Sequence, residues 1–211
     1  LRIKAFRALW LAQVASLIGI WMQTVGAQWL LVEEPGADAL VAMVQVAAML
    51  PMLVLALPSG ALADILDRRR MLSGVQLCQA CVAVALAALT VAGRMPPALL
   101  LTFTFLLGCG VALSLPAYQS LIQDLVPRAQ IRSAAALGGV AVNAARAVGP
   151  ALAGLIIGQV GPGAVFALNA AGFVVFAIVL LRLRRPAPAV EVAPERFASA
   201  DALVVAPANL L

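Results

Sequence analysis

The chain is 211 residues long, 64% of them hydrophobic and only 11% charged, with a mean hydropathy of +1.06. A soluble domain carries about a quarter of its residues as charge, so this chain could not clothe a water-facing surface, and its solvent is the lipid bilayer. Its basic balance, fourteen Lys and Arg against nine Asp and Glu, falls in short clusters between long apolar runs. That pattern, with no interleaved aromatics, excludes nucleic acid as the partner.

A helix that crosses a bilayer needs roughly 20 mostly apolar residues. Six runs meet that length, at about 8–32, 39–62, 71–92, 98–122, 133–159 and 164–182. The expected fold is therefore all-α, a polytopic bundle of six transmembrane helices, with residues 1–185 as one domain. A β-barrel is excluded because its strands would be about ten residues of strict alternation, and these runs are continuously apolar. The connections are only a few residues long, so consecutive helices are expected to be antiparallel neighbours.

The first run carries Gln13, Ser16, Gln23 and Thr24 broadly on one side at helical spacing, a face that lines a cavity or bonds to neighbouring helices. Trp10 and Trp29 at its two ends read as interfacial anchors. The second run ends in Gly60-Ala-Leu-Ala-Asp64-Ile-Leu-Asp67-Arg68-Arg69-Arg70. A small residue there lets a neighbouring helix approach, and an acid followed by three cations makes a charge cluster that can latch one conformation. The blander reading is a basic loop with an incidental acid. Cys78 and Cys81 lie inside the third run, where thiols pack as small hydrophobes. With no His in the chain and no second cysteine pair, neither a metal nor a cofactor is expected.

The fifth run holds Arg146, the only charge deep in the membrane. A cation at mid-bilayer costs roughly 3 kcal/mol on insertion scales, so it faces the protein interior or a water-filled cavity. Three roles compete for it: binding an anionic group of a substrate, pairing with an acid outside this chain, or bracing backbone carbonyls. Pro150 frees the carbonyl of Arg146 and should kink the helix there. Gly149, Gly154 and Gly158 extend a face for close helix contact. Asn143, one turn before Arg146, joins the candidate cavity residues; Gln45, Gln119 and Asn169 read as interhelical hydrogen bonders.

Orientation follows from the basic clusters. Arg2, Lys4 and Arg7, then Arg68 to Arg70, then Arg128 and Arg132, then Arg182, Arg184 and Arg185 all fall on one side, while Glu33, Glu34 and Asp38 crowd the other. Both termini are thus expected to be cytoplasmic, in a bacterial inner membrane. Residues 186–211 begin Pro-rich and polar and read as a cytoplasmic linker. Opening on Leu1 rather than Met, the chain is expected to be a fragment.

Gly60-x-x-x-Asp64-x-x-x-Arg68-Arg69-Arg70 resembles the signature between helices two and three of the major facilitator superfamily. It departs from that signature at Ile65, where a basic residue is usual, and at Asp67, where a glycine is usual. Phe6-Arg7-Ala-Leu-Trp10, Trp21-Met-Gln-Thr24, Gln28-Trp29-Leu30 and Val148-Gly149-Pro150-Ala-Leu-Ala-Gly154 narrow the resemblance to enterobactin-exporter-like transmembrane secretion effectors, over roughly residues 5–185. Gly149-Pro150-x-x-Ala153-Gly154 also resembles the fifth-helix motif of antiporters, with alanine replacing one glycine. The resemblance implies two inverted three-helix repeats, forming the N-terminal half of a twelve-helix transporter, and export of a small amphipathic or anionic molecule by alternating access. Its partners would be the bilayer, the substrate, and a missing six-helix half or a second copy. Without a G-x-x-x-x-G-K-[ST] loop, ATP hydrolysis by this chain is not expected. The rival readings are a dimerising or non-transporting six-helix subunit and a membrane-embedded lipid-modifying enzyme. The enzyme would need an acid, His or Ser–base cluster that the sequence lacks.

Overall fold

The computed structural model describes residues 4–183, apart from the side chains of Ala63 and Asp64, and contains six long helices and no strand among them. They are α1 (Lys4–Leu31), α2 (Ala37–Ile65), α3 (Arg68–Val91), α4 (Pro97–Leu125), α5 (Ile131–Val160) and α6 (Pro162–Arg182), with a 3-10 turn at Arg128–Gln130 before α5. All six are long and apolar enough to cross a membrane, and the chain is a multi-pass membrane protein.

Helix ends are set by turn chemistry rather than by where hydropathy fades, so several helices overrun their apolar runs. Gly36, with φ 78°, takes the left-handed conformation that starts α2, a region other residues enter at a cost. Pro97 and Pro162 open α4 and α6, where a missing N–H costs nothing. Asp67 caps α3: its Oδ1 accepts from the backbone N–H of Arg70 at 3.0 Å. The φ of −59° at Asp67 needs no glycine, and an N-terminal aspartate satisfies a backbone donor that glycine would leave open. α5 stays helical through Pro150.

The helices alternate in direction, which gives the bundle a basic end, with Lys4, Arg7, Arg68 to Arg70, Arg128, Arg132 and Arg182, and an acidic end, with Glu33, Glu34 and Asp38. Arg184, Arg185 and residues 186–211 lie outside the described residues.

Consecutive helices are not generally neighbours. Inside residues 4–91, α2 barely meets α3 and touches α1 lightly; α4 and α5 meet as little. The seams lie instead between the two triplets. α1 packs on α5 and α6, α4 packs on α2 and α3, and α3 and α6 pack on each other. Exchanging α1 with α4, α2 with α5 and α3 with α6 maps this pairing onto itself. Each exchange joins helices that run in opposite directions, the hallmark of an inverted repeat. The short loops fix direction, but partners are fixed by surfaces that fit across the repeats.

In lipid those surfaces cannot rely on apolar burial, since the tails are as apolar as leucine; close backbone approach and interhelical hydrogen bonds take over. A Cβ on Gly108 of α4 would stand 2.6 Å from the Ala48 carbonyl oxygen of α2, and one on Gly149 of α5 would stand 2.6 Å from Trp21 Cβ of α1. Asn169 of α6, fully buried, donates to Gln23 Oε1 of α1. Gln79 Nε2 of α3 donates to the Leu107 carbonyl of α4 at 3.1 Å. Phe166, Phe173 and Phe176 stack along α6 as the buried pillar of the two main apolar clusters.

Two helices are left largely uncovered. On α2, Leu53 is 80% and Leu57 88% exposed, and on α5, Leu155 and Val160 stand out as well. α2 and α5 are the pair exchanged by the internal pseudo-symmetry, so the open surfaces are equivalent.

Candidate functional site

A cavity of about 410 Å³ lies among α1, α4 and α5 toward the basic end. Gln13 and Leu17 of α1, Tyr118, Gln119 and Gln123 of α4, and Gly138 of α5 are among its walls. Glycine and alanine on that stretch of α5 keep the helix surface low, and this is what leaves room for the cavity. Of the residues singled out in the sequence, Gln13 and Gln119 lie on this wall. Ser16, buried, lies with Gln13 on a second, smaller pocket deeper in the bundle.

The other candidates are placed differently. Gln23 is buried, and its carboxamide is taken up by Asn169, holding α1 to α6. Thr24 returns its hydroxyl to the Ile20 carbonyl of its own helix at 3.1 Å, a bond that serves a hydroxyl in an apolar setting. Asn143 is exposed on α5 and donates to the Gly139 carbonyl at 3.0 Å. The Thr24 hydroxyl and the Asn143 amide nitrogen thus donate within their own helices, and among the described residues neither bonds to another helix.

Arg146 is exposed on the uncovered side of α5, one turn beyond Val142 of the cavity wall. Its guanidinium carbon stands 5.1 Å from the centre of the Trp21 ring, within the range of a cation–π contact worth about 0.5–1 kcal/mol at an open site. The contact is possible because Gly149, one turn further along α5, lets α1 approach to van der Waals distance. Gly154 and Gly158 do not share that role: a Cβ on either would meet nothing within 4 Å among the described residues. The small-residue face therefore splits, with Gly149 packed inside this unit and the last two glycines facing outward.

At the basic end a methyl group added to Gly60 would likewise meet nothing within 4 Å among the described residues, and the side chain of Asp64 lies outside them. The three arginines that follow divide their work. Arg68 makes an ion pair with Asp124 of α4 at 2.8 Å, both side chains being partly exposed. Arg69 reaches across to α6 and donates to the carbonyls of Leu180 and Leu181, where a cation favours the negative end of the helix dipole. The backbone N–H of Arg70 is held by the Asp67 cap. The segment thus ties α3 to both α4 and α6.

Sequence reasoning missed Tyr118 and Trp21 as site residues. Tyr118 is the only tyrosine in the chain and lies buried away from the helix ends, where a lone phenol in a membrane helix is itself a signal. Trp21 differs from Trp29, which is exposed at the acidic end, in lying mid-helix. Trp10, read as an anchor, also donates its indole N–H to the Leu137 carbonyl of α5 at 3.0 Å.

Residues 1–205 match the family model described as transmembrane secretion effector. The MFS-type transporter YfiS of Bacillus subtilis (strain 168) is 26% identical over 185 residues, 87% of this chain and 43% of that protein. The staphyloferrin A transporter of Staphylococcus aureus (strain NCTC 8325 / PS 47) is 26% identical over 141 residues, 66% of this chain and 36% of that protein. Macrolide efflux protein A of Streptococcus pyogenes is 25% identical over 181 residues, 86% of this chain and 45% of that protein. The chain spans about half the length of these relatives. With six helices crossing the membrane in two interlocked triplets and a family match along nearly its whole length, the chain belongs to the transmembrane secretion effector family of MFS-type transporters.

Proposed function

We propose that this chain is the N-terminal half of a secondary active exporter, and that it moves a small anionic or amphipathic molecule by alternating access. The observation that carries the reading is Arg146. It stands at mid-helix on α5 with its guanidinium against Trp21, beside the cavity of α1, α4 and α5, on a face that the six helices leave open. A cation at that depth is tolerated where it faces protein or a watery cavity, so the open face is the inner wall of a larger molecule. The name of one relative, macrolide efflux protein A, supports efflux as the direction. Both termini are assigned to the cytoplasm of a bacterial inner membrane, because the basic end carries the positive clusters.

The uncovered, pseudo-symmetric α2 and α5 are the surfaces for the second six-helix unit, either a following half or a second copy. Rocking of the two units about the cavity would be gated in part by the segment from Gly60 through Asp64 to Arg70. The test expresses the protein with its second unit in an efflux-deficient bacterium and follows accumulation of a panel of anionic and amphipathic dyes. Arg146→Ala should abolish the efflux of anionic dyes while leaving the amount of membrane-inserted protein unchanged. Efflux of every anionic dye at the unsubstituted rate would rule out Arg146 as the substrate cation.

A further inference from the structure

Deeper than the main cavity, a second pocket of about 80 Å³ lies among α1, α3, α4 and α6. Gln13 and Ser16 of α1, Gln76 and Gln79 of α3, and Ser114 and Tyr118 of α4 supply its polar wall; Phe173 and Phe176 of α6 close the far side. Gln76 and Tyr118 are more than nine-tenths buried, yet Gln76 Oε1, Ser114 Oγ and Tyr118 Oη have no hydrogen-bond partner among the described residues. An unpartnered polar group in a membrane interior is strongly unfavourable, and here three of them gather on one pocket.

We propose that this inner pocket is a binding site for a neutral hydroxylic ligand, a cluster of ordered water held by Gln76, Ser114 and Tyr118. The ligand is neutral because no charged side chain among the described residues lines the pocket, so neither an anion nor a cation would find its counter-charge there. Small rotations of a hydroxyl or a terminal amide bring each orphaned atom to a water inside the pocket. Its size is sufficient: a water needs a space of about 10–15 Å³, and the pocket offers several times that. An entry route exists as well, because Gln13, Leu17, Leu115 and Tyr118 line both this pocket and the main cavity. Tyr118 stands in the shared wall, and the inner site is a hydrated extension of the cavity into the bundle.

Three phenylalanines on one helix provide the readout. Phe173 and Phe176 line the inner pocket, whereas Phe166, equally buried, lines neither space. Radiolytic hydroxyl-radical labelling of the protein in lipid nanodiscs, read by mass spectrometry, reports water next to each ring. Phe173 and Phe176 should be labelled severalfold faster than Phe166. Ser114→Leu, which fills the pocket, should bring both down to the Phe166 rate with helix content unchanged by circular dichroism; Ser114→Val serves if the leucine variant does not fold. Labelling of Phe173 and Phe176 no faster than Phe166 in the unsubstituted protein would show the pocket to be dry. Rapid labelling that survives both substitutions would place the water elsewhere. Either result overturns the proposal.

Discussion

Substituting Gly149 by alanine adds one methyl group at the place where α5 comes closest to α1. The added carbon would lie 2.6 Å from Trp21 Cβ and 3.1 Å from the Ile18 carbonyl oxygen, against the roughly 3.5–4.0 Å at which carbon atoms rest. The obstacle includes backbone and a Cβ, not the free end of a side chain, so α1 and α5 must separate by about 1 Å to restore ordinary contact. Overpacking of this kind costs about 1–3 kcal/mol, while glycine to alanine in a helix returns up to about 1 kcal/mol of propensity. Gly154→Ala on the same helix receives the same propensity gain but meets nothing within 4 Å. The difference between the two variants therefore isolates the packing term at about 1–3 kcal/mol. Thermal unfolding in matched detergent, followed by near-ultraviolet circular dichroism, measures it. The separation would also carry the Trp21 ring away from Arg146, now 5.1 Å apart, toward the roughly 6 Å limit of cation–π attraction, so tryptophan fluorescence should shift in Gly149→Ala alone. Equal stability of the two variants would refute the argument that close approach at Gly149 holds the α1–α5 seam.

Other substitutions test the remaining contacts. Asn169→Leu leaves the buried carboxamide of Gln23 without its partner and should lower stability by about 1–2 kcal/mol; adding Gln23→Leu should restore much of the loss, and a cycle with no coupling would dismiss the bond. Arg68→Ala and Asp124→Ala remove an ion pair whose side chains are 37% and 45% exposed. Each should cost under about 1 kcal/mol, less at high salt, and a larger loss in a salt titration would mean a stronger role than the geometry supports. Arg69→Lys keeps the charge but loses the fork that reaches two carbonyls, so amide exchange at Leu183, whose N–H bonds to the last turn of α6, should quicken while exchange in the middle of α6 is unchanged.

The number of helices and their alternating direction were legible in the sequence, because an apolar run of bilayer length has few other uses. Helix ends were less so: Lys4 and Arg7 belong to α1 and Asp124 to α4, since charged residues continue a helix into the headgroup zone. Partner choice was not legible. Hydropathy is nearly uniform around these helices, so it carries no record that α1 faces α5 and α6 rather than α2. The glycines show the same limit: Gly149 and Gly154 look alike in the chain, and only the placement of Trp21 separates a packed glycine from an outward one. Among polar residues, type indicated that a partner was needed but not which. Gln13 came to the cavity while Gln23 was claimed by Asn169. Asp67, a departure from the family signature, became intelligible only as a cap on α3.

The interlocking of the two triplets has a consequence for synthesis. A ribosome delivers α1 to α3 to the membrane first, and within that segment the helices find little to hold. The surface of α1 awaits α5 and α6, and that of α3 awaits α4 and α6. Until Phe166, Phe173 and Phe176 of α6 enter, the two principal apolar clusters lack their pillar. A nascent chain halted after α5 would hold two loosely connected groups, α4 on α2 and α3, and α5 on α1, with no α6 to join them, exposed in that interval to quality-control proteases and to chance partners. Completion of the sixth helix is the event that turns six inserted segments into one body.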